Sequence, residues 1–338
     1  MIWAWPGRRC LPTMRNGYMN KERENRAGSR TGGIAVGIDI GGTNFRIGAV
    51  SRDGQVDHFE KISSQVLCGP GEAVELLEEQ IRSFLERHSL EDRTLAVGIG
   101  FPSPVDAAKE VVYNCPNLQN ENGGFDGRNV VRFLEDRLKL PVFINKDANN
   151  LLQYEIAVHG WKGKGITIGI YYGTGIGNSV YLEDHFLGGK HGTACDLGHI
   201  PFYLSDRYCT CGNRGCAECY ASGHVLRDIW QENWPGEEFP LIFKNHSSDR
   251  PVQEFLEAMA IPMASEINIF DPDRVVVGGG VIEMEGFPEE AFWDYVYEFT
   301  RKPCPGRDFD VVHASREPGA GTAGSAFYAF EQLEKIEK

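Results

Sequence analysis

Two segments, "IAVGIDIGGTNFRIGAV" (34–50) and "ITIGIYYGTGIGNSVYL" (166–182), share one pattern at a constant offset. Each reads as an apolar strand, a turn of glycine and threonine, and a second strand. Gly41 of the first segment aligns with Gly173 of the second. The unbroken alignment favours a duplicated strand–turn–strand unit in two related domains that face each other. Chance similarity between two hairpins is the alternative.

Strand and helix patterns alternate along the rest of the chain, which predicts the α/β class. Residues 71–90 have apolar residues at helical spacing, and "TLAVGIGFP" predicts a buried strand that ends at Pro102. "DANNLLQYEIAVHG" predicts a helix with Asp147 as its N-cap and an end near Gly160. A further helix is predicted over 252–270, and the length of 338 residues suits two domains.

The charge of the chain is unevenly distributed. Residues 1–33 contain seven Lys/Arg and two Glu, a net charge of +5. Because the whole chain has a net charge of −14, the remaining residues carry −19. The acidic body argues against nucleic acid as a partner, because it would repel phosphates. We expect residues 1–33 to be a disordered basic tail, or the product of an upstream start with Met14 or Met19 as the true start.

The cysteine usage and the absence of targeting patterns bear on the compartment. No run of about 18 apolar residues predicts a membrane span, and residues 1–33 lack the apolar region of a signal peptide. A cytoplasmic location is therefore expected. In that reducing environment, nine cysteines favour metal ligation or free thiols over disulfides.

Two glycine-rich turns are candidates for phosphate binding, because glycine lets backbone N–H groups approach an anion. In the first, Asp39 at the strand end could hold Mg²⁺, whereas Tyr171 occupies the matching position of the second. A plain hairpin turn is the alternative for each. Neither turn matches a P-loop or a dinucleotide-binding motif. The candidate residues are Asp39, Gly41, Gly42, Thr43, Asn44, Gly173, Thr174, Gly175 and Gly177.

A third glycine cluster and one acidic residue complete the candidates for phosphoryl transfer. Gly278, Gly279 and Gly280 of "VVGGGVIE" offer open backbone to a purine and its ribose, or form a strand-to-helix turn. Asp147 follows a predicted strand, where it could cap a helix. At the mouth of a cleft it could also accept the proton of an attacking hydroxyl.

The stretch "GHIPFYLSDRYCTCGNRGCAEC" (198–219) has the composition of a metal site. His199, Cys209, Cys211 and Cys216 make a Cys₃His set, which suits tetrahedral structural zinc. Cys219 is a possible competitor for one position, and a disulfide pair is the main alternative.

Taken in order, "GIDIGGTN", "YYGTGIG", "DLGHIPF…CTCGNRGCAECYASG" and "NIFDPDRVVVGGGV" resemble the ROK family of sugar kinases from about residue 34 to the C-terminus. The resemblance implies an α/β, two-domain actin-like/hexokinase fold of the ribonuclease H-like type, with a zinc-bound loop. It implies a smaller domain of residues 34–146 plus about 318–338. The larger domain would be 147–317, with the zinc loop at 199–216.

The resemblance also implies a reaction, an ATP-dependent phosphorylation of a sugar 6-hydroxyl with Mg²⁺ and structural Zn²⁺. Asp147 looks like the family's general base. The two turns look like its ATP phosphate loops, and Gly278 to Gly280 lie where adenosine is held. The residues that resemble sugar contacts are Asn117, Lys146, Asp147, Asp196, His199 and Glu218. His199 would then use one ring nitrogen for zinc and the other for the sugar.

Two departures from most glucokinases of the family fall in the implied sugar pocket. Lys146 replaces an Asn, and Asp196 replaces a Glu. Within the family the chain looks most like the D-allose kinases, which implies D-allose as the sugar. Kinases for glucose, fructose or N-acetylmannosamine are the alternatives. We also expect the homodimer that is usual in the family.

A sugar-responsive transcriptional repressor is the alternative from another functional class. ROK repressors share these motifs but add an N-terminal helix-turn-helix domain. Here only 33 residues precede the first predicted strand, without the pattern of such a domain. The enzyme is the favoured interpretation, with a sugar and ATP as its partners and no nucleic acid or membrane.

Overall fold

A computed structural model describes most of the chain and shows the predicted α/β class. The described ranges are 33–113, 115, 118–202 and 207–337. Asn117 and nearly all of the expected basic tail lie outside the described residues. No helix within these ranges is both long enough and apolar enough to cross a membrane.

Five strands form the first sheet: β1 (Ile34–Ile40), β2 (Asn44–Val50), β3 (Val56–Ser63), β4 (Thr94–Phe101) and β5 (Val142–Lys146). Their order is β3-β2-β1-β4-β5, with β1 to β3 antiparallel and with β4 and β5 parallel to β1. All seven residues of β1 are buried, as its unbroken apolar run predicts for a central strand.

Five further strands form the second sheet: β6 (Ile166–Tyr172), β7 (Ile176–Leu182), β8 (His185–Phe186), β9 (Arg274–Gly278) and β10 (Asp310–His313). Their order is β10-β9-β6-β7-β8. Strands β6 to β8 are antiparallel, whereas β9 and β10 run parallel to β6. The two sheets therefore share one topology, which agrees with the duplication predicted from the paired hairpins.

Nine α-helices lie in the described ranges and cover the sheets. They are α1 (Ala73–His88), α2 (Val130–Leu138), α3 (Asp147–His159), α4 (Glu218–Ala221), α5 (Gly223–Asn233), α6 (Ile242–His246), α7 (Arg250–Phe270), α8 (Glu289–Phe299) and α9 (Ala320–Ile336). Each sheet has its own large apolar cluster. Helix α1 adds Leu77, Ile81 and Phe84 to the first, and α7 adds Phe255, Met259 and Met263 to the second.

Helix α9 lies very close to the first sheet and to α3. A Cβ atom on Gly37 of β1 or on Gly98 of β4 would overlap backbone of α9 at Thr322 or Ser325. A Cβ on Gly324 of α9 would likewise overlap the carbonyl oxygen of Asn150 in α3. The C-terminal helix thus packs on the sheet that contains β1, although the domain boundary near residue 318 stays a prediction.

The structure differs from the sequence predictions at one helix start and at two edge strands. Helix α3 begins at Asp147, so the N-cap is Lys146, and the prediction of Asp147 as N-cap was wrong by one residue. The Asp147 carboxylate accepts from the N–H of the adjacent Ala148, at 2.6 Å, rather than from the next turn. Strands β3 and β8 were not predicted, because β3 is partly exposed without clean alternation and β8 has only two residues.

Candidate active site

The first glycine turn joins β1 to β2 and has an exposed tip. Gly42 and Thr43 are exposed, and the Gly41 N–H donates to the Asn44 carbonyl at 2.8 Å. Ser64, which follows β3, holds the tip from one side. Its hydroxyl donates to the Gly42 carbonyl and its N–H to the Thr43 carbonyl, both at 3.0 Å. The turn therefore offers free backbone while its shape is set by the third strand.

Asp39 forms an ion pair that the sequence did not suggest. Arg46 lies opposite it on β2, and the Arg46 Nη1 donates to the Asp39 Oδ2 at 2.6 Å. Burial raises the pKa of Asp39, and the charge and hydrogen bond of Arg46 oppose that rise. The cross-strand register was the missing information, since the two residues are seven positions apart. A carboxylate and a guanidinium thus lie together at the base of the first turn.

The second glycine turn joins β6 to β7 and is held by two helices. Thr174 at its tip is exposed. The Gly223 N–H, at the start of α5, donates to the Gly173 carbonyl at 2.9 Å. Glu218, at the start of α4, accepts from the Ile176 N–H at 3.0 Å, and a Cβ on Gly175 would overlap its carboxylate. Glu218 therefore connects the cysteine-rich loop to this turn.

The third glycine cluster follows β9. Gly279 has φ +98°, and a Cβ there would overlap the backbone of Tyr172, so both conformation and space require glycine. Gly280 is exposed, and apart from its own residue and its two chain neighbours no heavy atom of the described residues lies within 4 Å of a Cβ built on it. Gly278 packs over the buried ring of Tyr171. Open backbone is thus present at one of the three glycines.

Asp147 lies where parts of both sheets meet. Its Cα is 3.3 Å from a Cβ built on Gly100, at the end of β4. The next residue, Ala148, is 3.6 Å from a Cβ built on Gly177 of β7. Burial and the nearby charge of Asp39 raise the pKa of Asp147 to about 7. The pKa of this carboxyl therefore lies near neutral pH, the range in which a general base is most effective.

A buried hydrogen-bonded network surrounds the start of α3. Asn145 accepts from Asn149 at 3.0 Å and donates to Asn150 at 3.1 Å. Asn150 in turn donates to Ser325 of α9 at 2.8 Å, and Ser179 of β7 donates to Asn149 at 2.7 Å. The sequence analysis considered only Lys146 and Asp147 of this segment and made no prediction for its asparagines. Their side chains connect α3 with α9 and with the second sheet.

Two lysines lie at the junction of β5 and α3, and only Lys146 was a predicted site residue. The Lys146 Nζ donates to the Cys195 carbonyl at 2.6 Å. The Lys109 Nζ donates to Asn145 Oδ1 at 3.0 Å. Burial, and then the charge of Lys146, lowers the pKa of Lys109 to about 8. Lys109 stands in a turn with φ +60°, and its sequence context, "DAAKEV", gave no signal of this position.

The cysteine-rich loop brings its four predicted metal ligands together. The ligand atoms of His199, Cys209, Cys211 and Cys216 all lie within 4.8 Å of one another. The Cys209 Sγ is 3.4 Å from the His199 Nδ1, and the Cys211 Sγ is 3.7 Å from the Cys216 Sγ. Tetrahedral zinc with Zn–S bonds of about 2.3 Å places its sulfurs about 3.8 Å apart. The donor set and spacing fit such an ion.

The same loop settles two alternatives of the sequence analysis. The described cysteines are free thiols, so the disulfide alternative is not supported. Cys219 is not a member of the four-residue cluster. Asp196 is exposed and precedes the short turn Leu197–His199, whose His199 N–H donates to the Asp196 carbonyl at 2.9 Å. The side chain of His199 faces the cysteines through Nδ1, which leaves Nε2 for another partner.

Comparison with known proteins agrees with this arrangement. The model of the "ROK family" matches residues 35–332. A glucokinase of Streptomyces coelicolor is 31% identical over 326 residues, covering 88% of this chain and 98% of its own length. An N-acetyl-D-glucosamine kinase of Aliivibrio fischeri is 26% identical over 314 residues, 86% of this chain and 97% of its own.

A solved structure extends the comparison to the fold. A ROK family glucokinase from Streptomyces griseus, in complex with glucose and AMPPNP, superposes with a TM-score of 0.72 at 25% identity. The superposition covers 88% of this chain and 100% of that one. Both sheets described above fall within the region matched by the family model.

Proposed function

The chain belongs to the ROK family, and from this premise we propose that it is an ATP-dependent kinase for the 6-hydroxyl of an aldohexose. The sugar that we propose first is D-allose. One observation carries the proposal, the position and pKa of Asp147. Its carboxyl lies where the two sheets meet, near Asp39 of the first glycine turn, and has a pKa of about 7.

The proposed reaction follows from these positions. Asp147 accepts the proton of the sugar 6-hydroxyl while that oxygen attacks the γ-phosphorus of ATP, and ADP leaves with the electrons of the broken bond. The exposed tips of the two turns, around Thr43 and Thr174, would bind the phosphates through backbone N–H groups. The backbone at Gly280 would lie against the adenosine. Closure of the two sheets over the substrates would exclude water.

Two metal ions belong to the proposal. Mg²⁺ would neutralise the phosphate charge, with Asp39 as the residue of this chain placed to hold it directly or through water. Zn²⁺ would be held by His199 and the three cysteines, where it would order the loop. Zinc would take no part in phosphoryl transfer. Instead it would fix the tautomer of His199, so that Nε2 points away from the metal and can meet the sugar.

The identity of the sugar rests on the residues around Asp147. Lys146, Asp196 and His199 are the described candidates for sugar contacts, together with Glu218. Lys146 and Asp196 are the two departures from most family glucokinases, and the changed donor at Lys146 supports a sugar other than glucose. Relatives named glucokinase and N-acetyl-D-glucosamine kinase make those two sugars the alternatives. Allose differs from glucose only at C3, so one changed donor can select between them.

The assembly and the location of the protein are also part of the proposal. We expect a homodimer, because two-fold dimers are the commonest assemblies of such enzymes. The described cysteines form no disulfide, which is consistent with a cytoplasmic location. Light scattering of the purified protein measures the assembly, and a monomer at micromolar concentration would contradict the dimer.

A substrate panel tests the function. We expect ATP-dependent phosphorylation, with kcat/KM for D-allose above that for glucose, fructose, N-acetylglucosamine and N-acetylmannosamine. Asp147→Asn should lower kcat by at least about 100-fold, because the general base is lost. Glu75→Gln is the matched control, an acid in the first turn of α1 rather than of α3. Near-normal phosphorylation by Asp147→Asn would falsify the assignment, and a clear preference for glucose would overturn the choice of D-allose.

A further inference from the structure

A buried pair of polar side chains lies beneath the segment that carries Asp196 and His199. Asn178 of β7 is 1% exposed and Glu266 of α7 is 3% exposed. The Asn178 Nδ2 donates to the Glu266 Oε1 at 2.6 Å. The Asn178 Oδ1 accepts from the Leu197 N–H at 2.8 Å. One side-chain amide thus links a helix of the core to the turn Leu197–His199.

Burial of the Glu266 carboxyl at this place costs free energy of folding. Its second oxygen, Oε2, has no hydrogen-bond partner among the described residues. Burial raises the pKa of Glu266 to about 8, and the Asn178 hydrogen bond and the more distant charge of Lys146 oppose that rise. A leucine or methionine would fill the core without this cost. The carboxyl group therefore needs a reason other than packing.

The orientation of the Asn178 amide supplies that reason. An asparagine amide has a donor end and an acceptor end, and the Leu197 N–H can be satisfied only by the acceptor end. Glu266 presents an acceptor to the opposite end, so it holds the amide with Nδ2 toward α7. Without an acceptor at residue 266, the amide is free to turn, and its donor end would face the Leu197 N–H.

The segment from Cys195 to His199 has further attachments on each side of Leu197, and two of them come from predicted site residues. The Lys146 Nζ donates to the Cys195 carbonyl at 2.6 Å. The His199 Nδ1 lies 3.4 Å from the Cys209 Sγ in the metal-ligand cluster. The Asn178 contact falls between these two, directly next to Asp196. It is the attachment that comes from within the second sheet itself.

We propose that Asn178 and Glu266 are positioning residues that fix the Cys195–His199 segment and thereby set the affinity for the sugar. Glu266 orients the amide of Asn178, and Asn178 holds the backbone from which Asp196 and His199 project. Neither residue touches the reacting atoms. The inference rests on the proposed function in one respect, that the segment faces a sugar substrate.

Three variants separate positioning from simple core packing. Asn178→Leu removes the acceptor for the Leu197 N–H. Glu266→Met removes the acceptor that orients the amide, whereas Glu266→Gln keeps an acceptor of the same shape. Glu78→Met is the matched control. Glu78 is also a buried acid on a helix, 7% exposed, but its helix, α1, packs in the apolar cluster of the first sheet.

Two readouts are measured on the intact, metal-loaded protein. Hydrogen–deuterium exchange of the Leu197 amide should be about tenfold faster in Asn178→Leu and Glu266→Met. KM for the sugar should rise about tenfold in the same two variants, with KM for ATP and the zinc content unchanged. Glu266→Gln should match the wild type in both readouts. Glu78→Met should lower Tm without changing either.

Each outcome bears on the proposal. It is overturned if Asn178→Leu leaves the Leu197 amide protected, if sugar KM does not follow the exchange rate, or if Glu266→Gln is as impaired as Glu266→Met. Should Asn178→Leu fail to fold, the two Glu266 variants decide the question. If the wild type phosphorylates no sugar, the proposed function fails. In that case hydrogen–deuterium exchange of the Leu197 amide still decides whether Asn178 and Glu266 hold the Cys195–His199 segment in place.

Discussion

Asp147 combines a position between the two sheets with a proton affinity suited to its proposed role. Burial is the larger cause of its raised pKa and the negative charge of Asp39 is the next, so the environment rather than the residue type sets the value. A carboxyl with a pKa of about 7 is a more effective base near neutral pH than one with the ordinary value of about 4.

The pH dependence of the proposed reaction follows directly. Asp147 acts as a base only when deprotonated, so kcat/KM should fall about tenfold per pH unit below about 7 and level off above it. Asp39→Asn removes the neighbouring charge and should shift this midpoint to lower pH, whatever its effect on the maximal rate. Steady-state rates from pH 5 to 9 measure both. A midpoint that stays at 7 in Asp39→Asn would contradict the coupling of the two carboxyls.

At the scale of elements, the described part of the cysteine-rich loop is joined by backbone hydrogen bonds within the loop itself. Its backbone contacts are short-range bridges, such as the Phe202 N–H to the Gly215 carbonyl at 2.7 Å. The same loop ends at Glu218, which accepts from the Ile176 N–H of the second turn. Order in the loop and order in the second glycine turn are therefore physically linked.

Removal of the metal should weaken sugar binding. We expect a chelator to release one zinc per chain and to raise the Kd for the sugar by at least about tenfold, because His199 and Glu218 lose their fixed positions. Cys211→Ser should behave like the stripped protein, and Cys219→Ser should keep its zinc. Metal analysis, exchange of residues 207–219 and calorimetric titration measure the three effects. Stripped protein with an unchanged sugar Kd would refute the link.

At the scale of the whole molecule, α3 and α9 cross at a backbone contact between the two sheets. Helix α9 packs on β1 and β4, and α3 carries Asp147 toward the second sheet. Gly324 allows the crossing, because a Cβ there would overlap the Asn150 carbonyl. The relative position of the two sheets therefore depends on how close these helices approach.

Gly324→Ala tests this crossing. Forced separation of the helices should cost roughly 1–3 kcal/mol of unfolding free energy, more than the gain of at most about 1 kcal/mol from the better helix former. Gly236→Ala is the control, because a Cβ built there has no heavy atom of the described residues within 4 Å beyond its own residue and its two chain neighbours. Chemical denaturation measures both. Equal stabilities of the two variants would show that the close approach is not needed.

Much of the fold could be predicted from local patterns. Runs of apolar residues and glycine turns indicate the matching hairpins, the buried central strands and the longer helices. Each of these patterns spans only a few positions of the sequence. Edge strand β3 was not predicted, since half-exposed strands leave a weak pattern. The N-cap of α3 was misplaced by one residue, because Lys146 gives no capping signal.

The sequence by itself determined the α/β class, the duplicated hairpins and the four clustered metal-ligand side chains, because each of these depends on residues close together in the chain. Only the tertiary structure decided the pKa of Asp147, the Lys109–Asn145 contact and the Asn178–Glu266 pair. Asn178 and Glu266 are 88 positions apart. The burial of these side chains and their closeness to one another arise only when distant segments of the chain pack together. No local sequence pattern can therefore predict them.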